Sequence, residues 1–88
     1  MKNHNFTFIL VPFDVDEETV ADLLYENGAD DGLFGFSNGA YNIDFNRNND
    51  SLEEAIMSAK ADVEKSGMNV LEIILHVDDL LEIFKKKQ

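Results

Sequence analysis

The stretch NGADDGLFGFSNG, residues 27–39, constrains the fold more than any other part of the chain, because it holds four of the five glycines and ends in Asn38-Gly39. Asn-Gly between two apolar segments is typical of a two-residue β-turn in which both residues adopt positive φ. Such a turn fixes which residues face each other across the hairpin. The predicted pairs are Ser37 with Ala40, Phe36 with Tyr41, Phe34 with Ile43 and Gly32 with Phe45. The bulky apolar side chains of both strands then lie on one face.

The segment before this hairpin predicts a strand and a helix. FTFILV, residues 6–11, is rich in β-forming residues and is followed by Pro12, which cannot donate a hydrogen bond to a neighbouring strand. Asp14 or Asp16 can cap a helix over about residues 16–27, and the acids at the start of that helix suit its positive end.

The segment after the hairpin predicts a second helix and a last strand. RNND, residues 47–50, is polar and is expected to form a loop that contains the only arginine. Ser51 followed by Glu54 is a capping box that starts a helix. NVLEIILHV, residues 69–77, alternates in the manner of a strand, with Leu71, Ile73 and Leu75 expected on the inner face.

The predicted order β-α-β-β-α-β is the ferredoxin-like arrangement, an α+β fold. Right-handed crossovers place both helices on one face of a four-stranded antiparallel sheet, and the expected strand order is 4-1-3-2. We expect one domain over residues 1–79, because 88 residues support a single core. Residues 80–88 are expected to form a short helical tail.

The sheet face that points away from the helices is predicted to be half apolar. Apolar surface that the chain leaves uncovered is typical of association. We therefore expect this face to bind a protein partner or a second copy of the chain, as in a homodimer. The residues expected to make the contact are Ile9, Val11, Leu33, Val70 and Ile74.

The charge supports a second hypothesis. The chain has 18 acidic residues, 7 Lys and Arg, and a net charge of −11, so direct binding to a nucleic-acid backbone is not expected. An acidic surface could instead occupy the cationic groove of a nucleic-acid enzyme, as DNA-mimic, anti-CRISPR or anti-restriction proteins of bacteria and phages do. The acids expected on that surface are Asp14, Asp16, Glu17, Glu18, Asp30 and Asp31. Alternatively, the charge serves solubility alone.

The sequence predicts no catalytic residue, cofactor or metal site, and we expect no enzymatic activity. GFSNG, residues 35–39, fits the pattern of a nucleophile elbow, but that motif requires a helix after the serine, and here a strand is expected. The chain has no cysteine and only two histidines. His4 is expected in a mobile N-terminus and His76 on the last strand.

Hydropathy favours a cytoplasmic protein. No apolar run approaches the roughly 18 residues that a membrane span requires, and MKNHNF at the N-terminus lacks the apolar segment of a signal peptide. We therefore expect no contact with a membrane.

Three segments carry a resemblance to a known group. LLYENGADDGLFGFSNG (residues 23–39), DFNRNNDSLEEAIMSAKADVEKSG (44–67) and HVDDLLEI (76–83) resemble small, mostly uncharacterised bacterial proteins. Their shared pattern is Gly-x-Asp-Asp, Asp-Phe-x-Arg, Ser-x-Glu-Glu-Ala-x-x-Ser-Ala and a late Asp-Leu. In that group a helix-turn-helix typically begins near the position of Leu80, whereas this chain ends at KKKQ. The resemblance implies a dimerisation or regulatory role and carries over no DNA binding.

Overall fold

The computed structural model of the protein describes residues 2–76. These residues form four strands and two helices in the order β-α-β-β-α-β. The elements are β1 (Lys2–Leu10), α1 (Glu17–Glu26), β2 (Gly32–Ser37), β3 (Ala40–Asn49), α2 (Leu52–Lys65) and β4 (Val70–Leu75). The predicted tail helix at residues 80–88 and the predicted end of the last strand at Val77 lie outside the described residues.

The four strands form one antiparallel sheet with the order β2-β3-β1-β4. Read from the opposite edge, this is the order 4-1-3-2 that the sequence predicts. β1 pairs with β3 on one side and with β4 on the other, so β1 and β3 are central and β2 and β4 are the edge strands. The fold is therefore α+β, with a four-stranded antiparallel sheet and two helices.

The hairpin confirms the pairing that was predicted from the glycines. Asn38 has a φ of 52° and Gly39 a φ of 79°, as a two-residue turn of this kind requires. All four predicted pairs are present, from Ser37↔Ala40 at the turn to Gly32↔Phe45 at the far end. The bulky apolar residues of the hairpin therefore share the face that meets the helices.

Both helices begin at the predicted caps. The Asp16 side chain accepts a hydrogen bond from the backbone N–H of Thr19, and the Ser51 side chain accepts one from the N–H of Glu54. These bonds satisfy backbone donors that have no partner within the helix. The caps fix where each helix starts, and hence which of its residues face the sheet.

The helices pack against one face of the sheet around an aromatic core. Phe6 and Phe8 on β1 and Phe45 on β3 lie with ring centroids 5.2 to 5.4 Å apart, and all three are buried. Each such side chain contributes about 1.5 to 3 kcal/mol through removal from water. The helices add small and branched residues to the same core: Val20, Leu24, Leu52, Ala55, Ala59 and Val63.

The prediction was wrong at the outer ends of the two central strands. β1 begins at Lys2 and β3 continues to Asn49, so residues 47–50 are mostly strand instead of loop and His4 is not in a mobile terminus. His4 pairs with Arg47, and both are buried. The polar segments KNHN and NRNN lack the apolar alternation of a half-buried strand, but each supplies the other with backbone partners.

The prediction was also wrong at the start of β4, where the pairing with β1 is irregular. Ile9 pairs with Glu72 but Leu10 pairs with Val70, so Leu71 is an extra residue in β4. An extra residue of this kind, a β-bulge, reverses the facing of the residues that precede it. Val70 therefore packs against the core instead of lying on the opposite face, and Leu71, expected inside, is exposed.

Candidate interaction surface

The sheet face opposite the helices, called the open face below, is the surface on which the sequence places a partner. Residues that pair across an antiparallel sheet share a face. The pairs Leu33↔Asp44, Asp44↔Thr7 and Thr7↔Ile74 therefore form one row across all four strands of the open face. Leu33 is 73% exposed and Ile74 is 48% exposed, at the two ends of this row.

A second row places the remaining predicted contact residues. Ile9 pairs with Asn42 on one side and Glu72 on the other, and it is half-buried between them. Val11 follows directly after β1 and is exposed, with its backbone N–H donating to the carbonyl of Asn69. Four of the five predicted residues are thus accessible on or beside the open face, and Val70 is the exception.

The centre of the open face is more polar than the sequence alone suggested. The Thr7 hydroxyl donates to the Asp44 carboxylate over 2.6 Å, and the Asn3 side chain donates to that of Asn48 over 3.1 Å. These bonds run between β1 and β3, the two central strands. The apolar surface is therefore divided into two flanks, one on β2 and one on β4, with a hydrogen-bonded polar strip between them.

The flank on β4 extends around the edge of the sheet. Leu71, Ile73 and Ile74 are all exposed, although Ile73 shares the face of the core residue Phe8. An edge strand with exposed aliphatic residues and one charge, Glu72, has little of the protection that edge strands usually carry against pairing with other chains. The apolar surface here is accessible from two directions.

The acidic residues of the second hypothesis fall into two groups. Three of them have structural contacts: Asp16 caps α1, Glu17 accepts a hydrogen bond from the Tyr41 hydroxyl, and Asp31 binds Arg47. The backbone N–H of Thr19 holds the pKa of Asp16 below its ordinary value of 3.8. The other three are exposed: Asp14, Glu18 and Asp30.

Sequence reasoning missed the cluster formed by Arg47, Asp31 and Asp62, called the Arg47 cluster below. Arg47 donates from Nε and Nη2 to the two carboxylate oxygens of Asp31, both over 2.7 Å, and its Nη1 lies 3.0 Å from Asp62 Oδ2. Nη2 also donates to the carbonyl of Gly28, and Nη1 to the hydroxyl of Ser58. The available signal was that Arg47 is the only basic residue between Lys2 and Lys60.

The contacts of Arg47 identify the cluster as structural. A guanidinium has five N–H donors, and the five contacts with Asp31, Asp62, Gly28 and Ser58 account for all of them. The hydrogen bonds from Asp31 raise the pKa of Arg47 further above its ordinary value. With its donors engaged and its side chain buried, Arg47 is not available to bind a phosphate or a carboxylate ligand.

The described residues offer no arrangement for catalysis at the motifs that the sequence suggested. Ser37 ends β2 and is followed by the turn into β3, and its hydroxyl accepts a hydrogen bond from the Asn42 side chain over 2.9 Å. Within residues 2–76 no group of three or more His, Asp and Glu side chains is placed to hold a metal ion.

Comparison of the chain with protein-family models, with curated proteins and with solved structures finds no match. Neither helix in the described part of the chain is long and apolar enough to cross a membrane. Any functional assignment therefore depends on the surfaces described above.

Proposed function

We propose that the protein is a non-catalytic interaction or regulatory module that binds a protein partner, or a second copy of itself, through the open face. The exposure of Leu33 and Ile74 at the two ends of one row across the sheet is the observation that carries this proposal. Apolar side chains around hydrogen-bonded polar groups are the usual composition of a protein–protein interface.

The element order and the placement of both helices on one side support classification as a ferredoxin-like domain. Folds of this type carry many unrelated functions, so the classification by itself adds no activity. The resemblance to small bacterial proteins with a helix-turn-helix is consistent with a cytoplasmic regulatory role, in which this domain would supply dimerisation.

Light scattering on the full chain tests the proposal. The wild type is expected to have a mass above that of the monomer, or to recover a partner from a lysate of its host. The double variant Ile9→Asp, Ile74→Asp places two charges on the open face and is expected to abolish that association. Met57→Asp is the matched control, because Met57 is exposed on α2, on the other side of the sheet. A monomeric wild type without a partner, or association that survives the double variant, contradicts the proposal.

The distribution of charge supports a second candidate, an acidic inhibitor of a nucleic-acid enzyme. Between Lys2 and Arg47 the chain has nine acidic residues and no Lys or Arg. This stretch includes all of α1, whose first turn carries Glu17 and Glu18. A surface of one sign can attract a cationic groove and raise the rate of association.

Binding to a bacterial nuclease at several salt concentrations tests this candidate. The informative variant is Glu18→Gln with Asp30→Asn, because both carboxylates are exposed, whereas Asp31 holds Arg47 and its loss would perturb the fold. We expect the binding to weaken with salt and to weaken further in the variant. Binding that is indifferent to ionic strength removes the main support for the inhibitor.

A further inference from the structure

An aromatic groove lies at the end of the sheet where the β2–β3 turn, the segment after β1 and the start of β4 meet. It has a volume of about 300 Å³. Its main lining side chains are Leu10, Pro12, Phe13, Phe36, Tyr41 and Leu71. Phe36 and Leu71 are each 58% exposed. This groove is separate from the open face and goes beyond the function proposed above.

The aromatic side chains of the groove hold one another in place. The Tyr41 ring lies 4.5 Å from Phe13 and 4.7 Å from Phe36, and it stacks on Phe34 at 5.5 Å. Phe34 in turn packs against the core, which anchors the group. Rings that are already fixed lose little conformational entropy when a ligand binds, so this surface is preorganised for contact.

Carboxylates line the side of the groove that faces α1. The Tyr41 hydroxyl donates to Glu17 Oε1 over 2.8 Å, which places this carboxylate at the end of the Tyr41 ring. Phe13 is followed in the chain by Asp14, and Asp16 caps the helix that begins at Glu17. Since residues 3–46 contain no Lys or Arg, the lining and the rim up to this point have no positive side chain to offset these acids.

We propose that the groove binds an extended peptide segment of a partner protein in which an apolar side chain is flanked by Lys or Arg. The apolar side chain enters between Phe36, Tyr41 and Leu71, and the cationic side chain meets Glu17 and Asp14. Cations are also attracted to the faces of aromatic rings, which favours the same ligand. A nucleic acid does not fit, because its phosphates would face these carboxylates. The same end of a second copy does not fit, because it would bring acids against acids.

A random peptide library displayed on phage, panned against the full chain, provides the probe. Enriched peptides are expected to share an apolar residue next to Lys or Arg. Phe36→Ser is expected to weaken the binding of a selected peptide by about tenfold or more, as for an anchor residue at an interface. Because Phe36 is more than half exposed, the substitution leaves the core intact, and urea unfolding of the variant checks this.

A second variant tests the electrostatic part of the proposal. Glu17→Gln keeps an oxygen that can accept the Tyr41 hydrogen bond but removes the charge. It is expected to reduce the affinity for the selected peptide and to flatten its dependence on salt. Met57→Ser on α2 is the matched control for loss of an exposed apolar side chain and is expected to change nothing. No enrichment, enrichment of acidic peptides, or binding that survives Phe36→Ser overturns the proposal.

Two further variants separate other occupants and the open face. Residues 83–87, IFKKK, have the proposed ligand chemistry by sequence. If this segment of the chain occupied the groove, Phe84→Ser would raise the affinity for the selected peptide, and that result would overturn a partner segment as the occupant. The open-face variant Ile9→Asp, Ile74→Asp is expected to retain the peptide, so that failure of the groove and failure of the open face are distinguishable.

Discussion

Arg47 joins β3 to the end of α1 and to α2, because one guanidinium contacts Gly28, Asp31 and Asp62 at the same time. Its side chain is 10% exposed, and those of Asp31 and Asp62 are 30% and 21% exposed. Charge pairs that are removed from water to this extent are costly to break, since the remaining partner keeps its charge without compensation.

Arg47→Met is therefore expected to lower the free energy of unfolding by about 2 to 3 kcal/mol, somewhat below the range for fully buried pairs because the acids retain some solvent. Lys60→Met is the matched control: the Lys60–Glu64 pair is 40% and 47% exposed, so its loss should cost about 0.5 kcal/mol or less. Urea unfolding measures both. Equal losses in the two variants would show that the Arg47 cluster contributes no more than a surface ion pair.

Tyr41 gives a titration that reports on the rim of the aromatic groove. Its hydrogen bond to Glu17, then desolvation and the charge of Glu17, raise the pKa of Tyr41 above its ordinary value of 10.0. A raised pKa in the folded state means that the contribution of this bond to stability is present below pH 10 and is lost as the pH rises through the folded pKa.

In a Tyr25→Phe background Tyr41 is the only tyrosine, so ultraviolet absorbance of the phenolate follows it alone. We expect its pKa to fall in steps from Glu17 to Glu17→Gln, which keeps an acceptor, and then to Glu17→Ala, which removes it. Glu18→Ala, in the same helical turn, is the control and should leave the titration unchanged. A pKa of Tyr41 that is indifferent to residue 17 would contradict the contact.

The β2–β3 hairpin can be tested through three of its glycines, which differ in what an added methyl group would meet. At Gly39 nothing lies within 4 Å but φ is 79°, so Gly39→Ala is expected to cost about 1 to 2 kcal/mol through backbone strain alone. At Gly32 a Cβ would lie 2.5 Å from Ile43 Cγ2, and the overpacking should cost about 1 to 3 kcal/mol.

Gly35→Ala is the matched control, since the nearest atom is Asn42 Oδ1 at 3.8 Å and φ is ordinary. It should be neutral or slightly stabilising, because alanine restricts the unfolded chain. Thermal or urea unfolding of the three variants gives the order. A Gly35→Ala loss as large as the other two would mean that the methyl group acts through the strand itself and not through these local contacts.

The hairpin was predictable because two local rules agreed, the Asn-Gly turn and the alternation of bulky residues. The paired ends of β1 and β3 were not, because KNHN and NRNN become strand only by pairing with each other, and no single segment shows this. The bulge at Leu71 was also invisible, since LEIIL continues an apolar run whichever side it faces. Four of the five open-face residues followed from alternation, and Val70 failed at that bulge. The aromatic groove depends on Phe13 folding over Tyr41, which no periodicity encodes.

The charge of the whole protein sets two effects against each other. The net charge of −11 favours expansion through repulsion among the acids, which salt reduces. Salt also weakens ion pairs, but the Arg47 cluster is largely removed from water and is screened less than exposed charges are. Repulsion among many exposed acids should therefore dominate, and salt should stabilise the fold.

Raising the ionic strength with NaCl from about 0.01 M to about 0.15 M shortens the screening distance from about 30 Å to about 8 Å, and we expect the urea midpoint to rise. Glu26→Lys changes the net charge from −11 to −9, and it places a cation in the last turn of α1, which has no basic residue. This variant should start more stable at low salt and gain less from added salt. Glu18→Lys makes the same change of charge at the opposite end of α1, where a cation meets the positive end of the helix. A difference between the two variants measures the helix end, and their shared reduction in the salt effect measures the net charge. An equal salt gain in all three proteins would show that repulsion does not limit stability, and that the acidic surface needs another explanation.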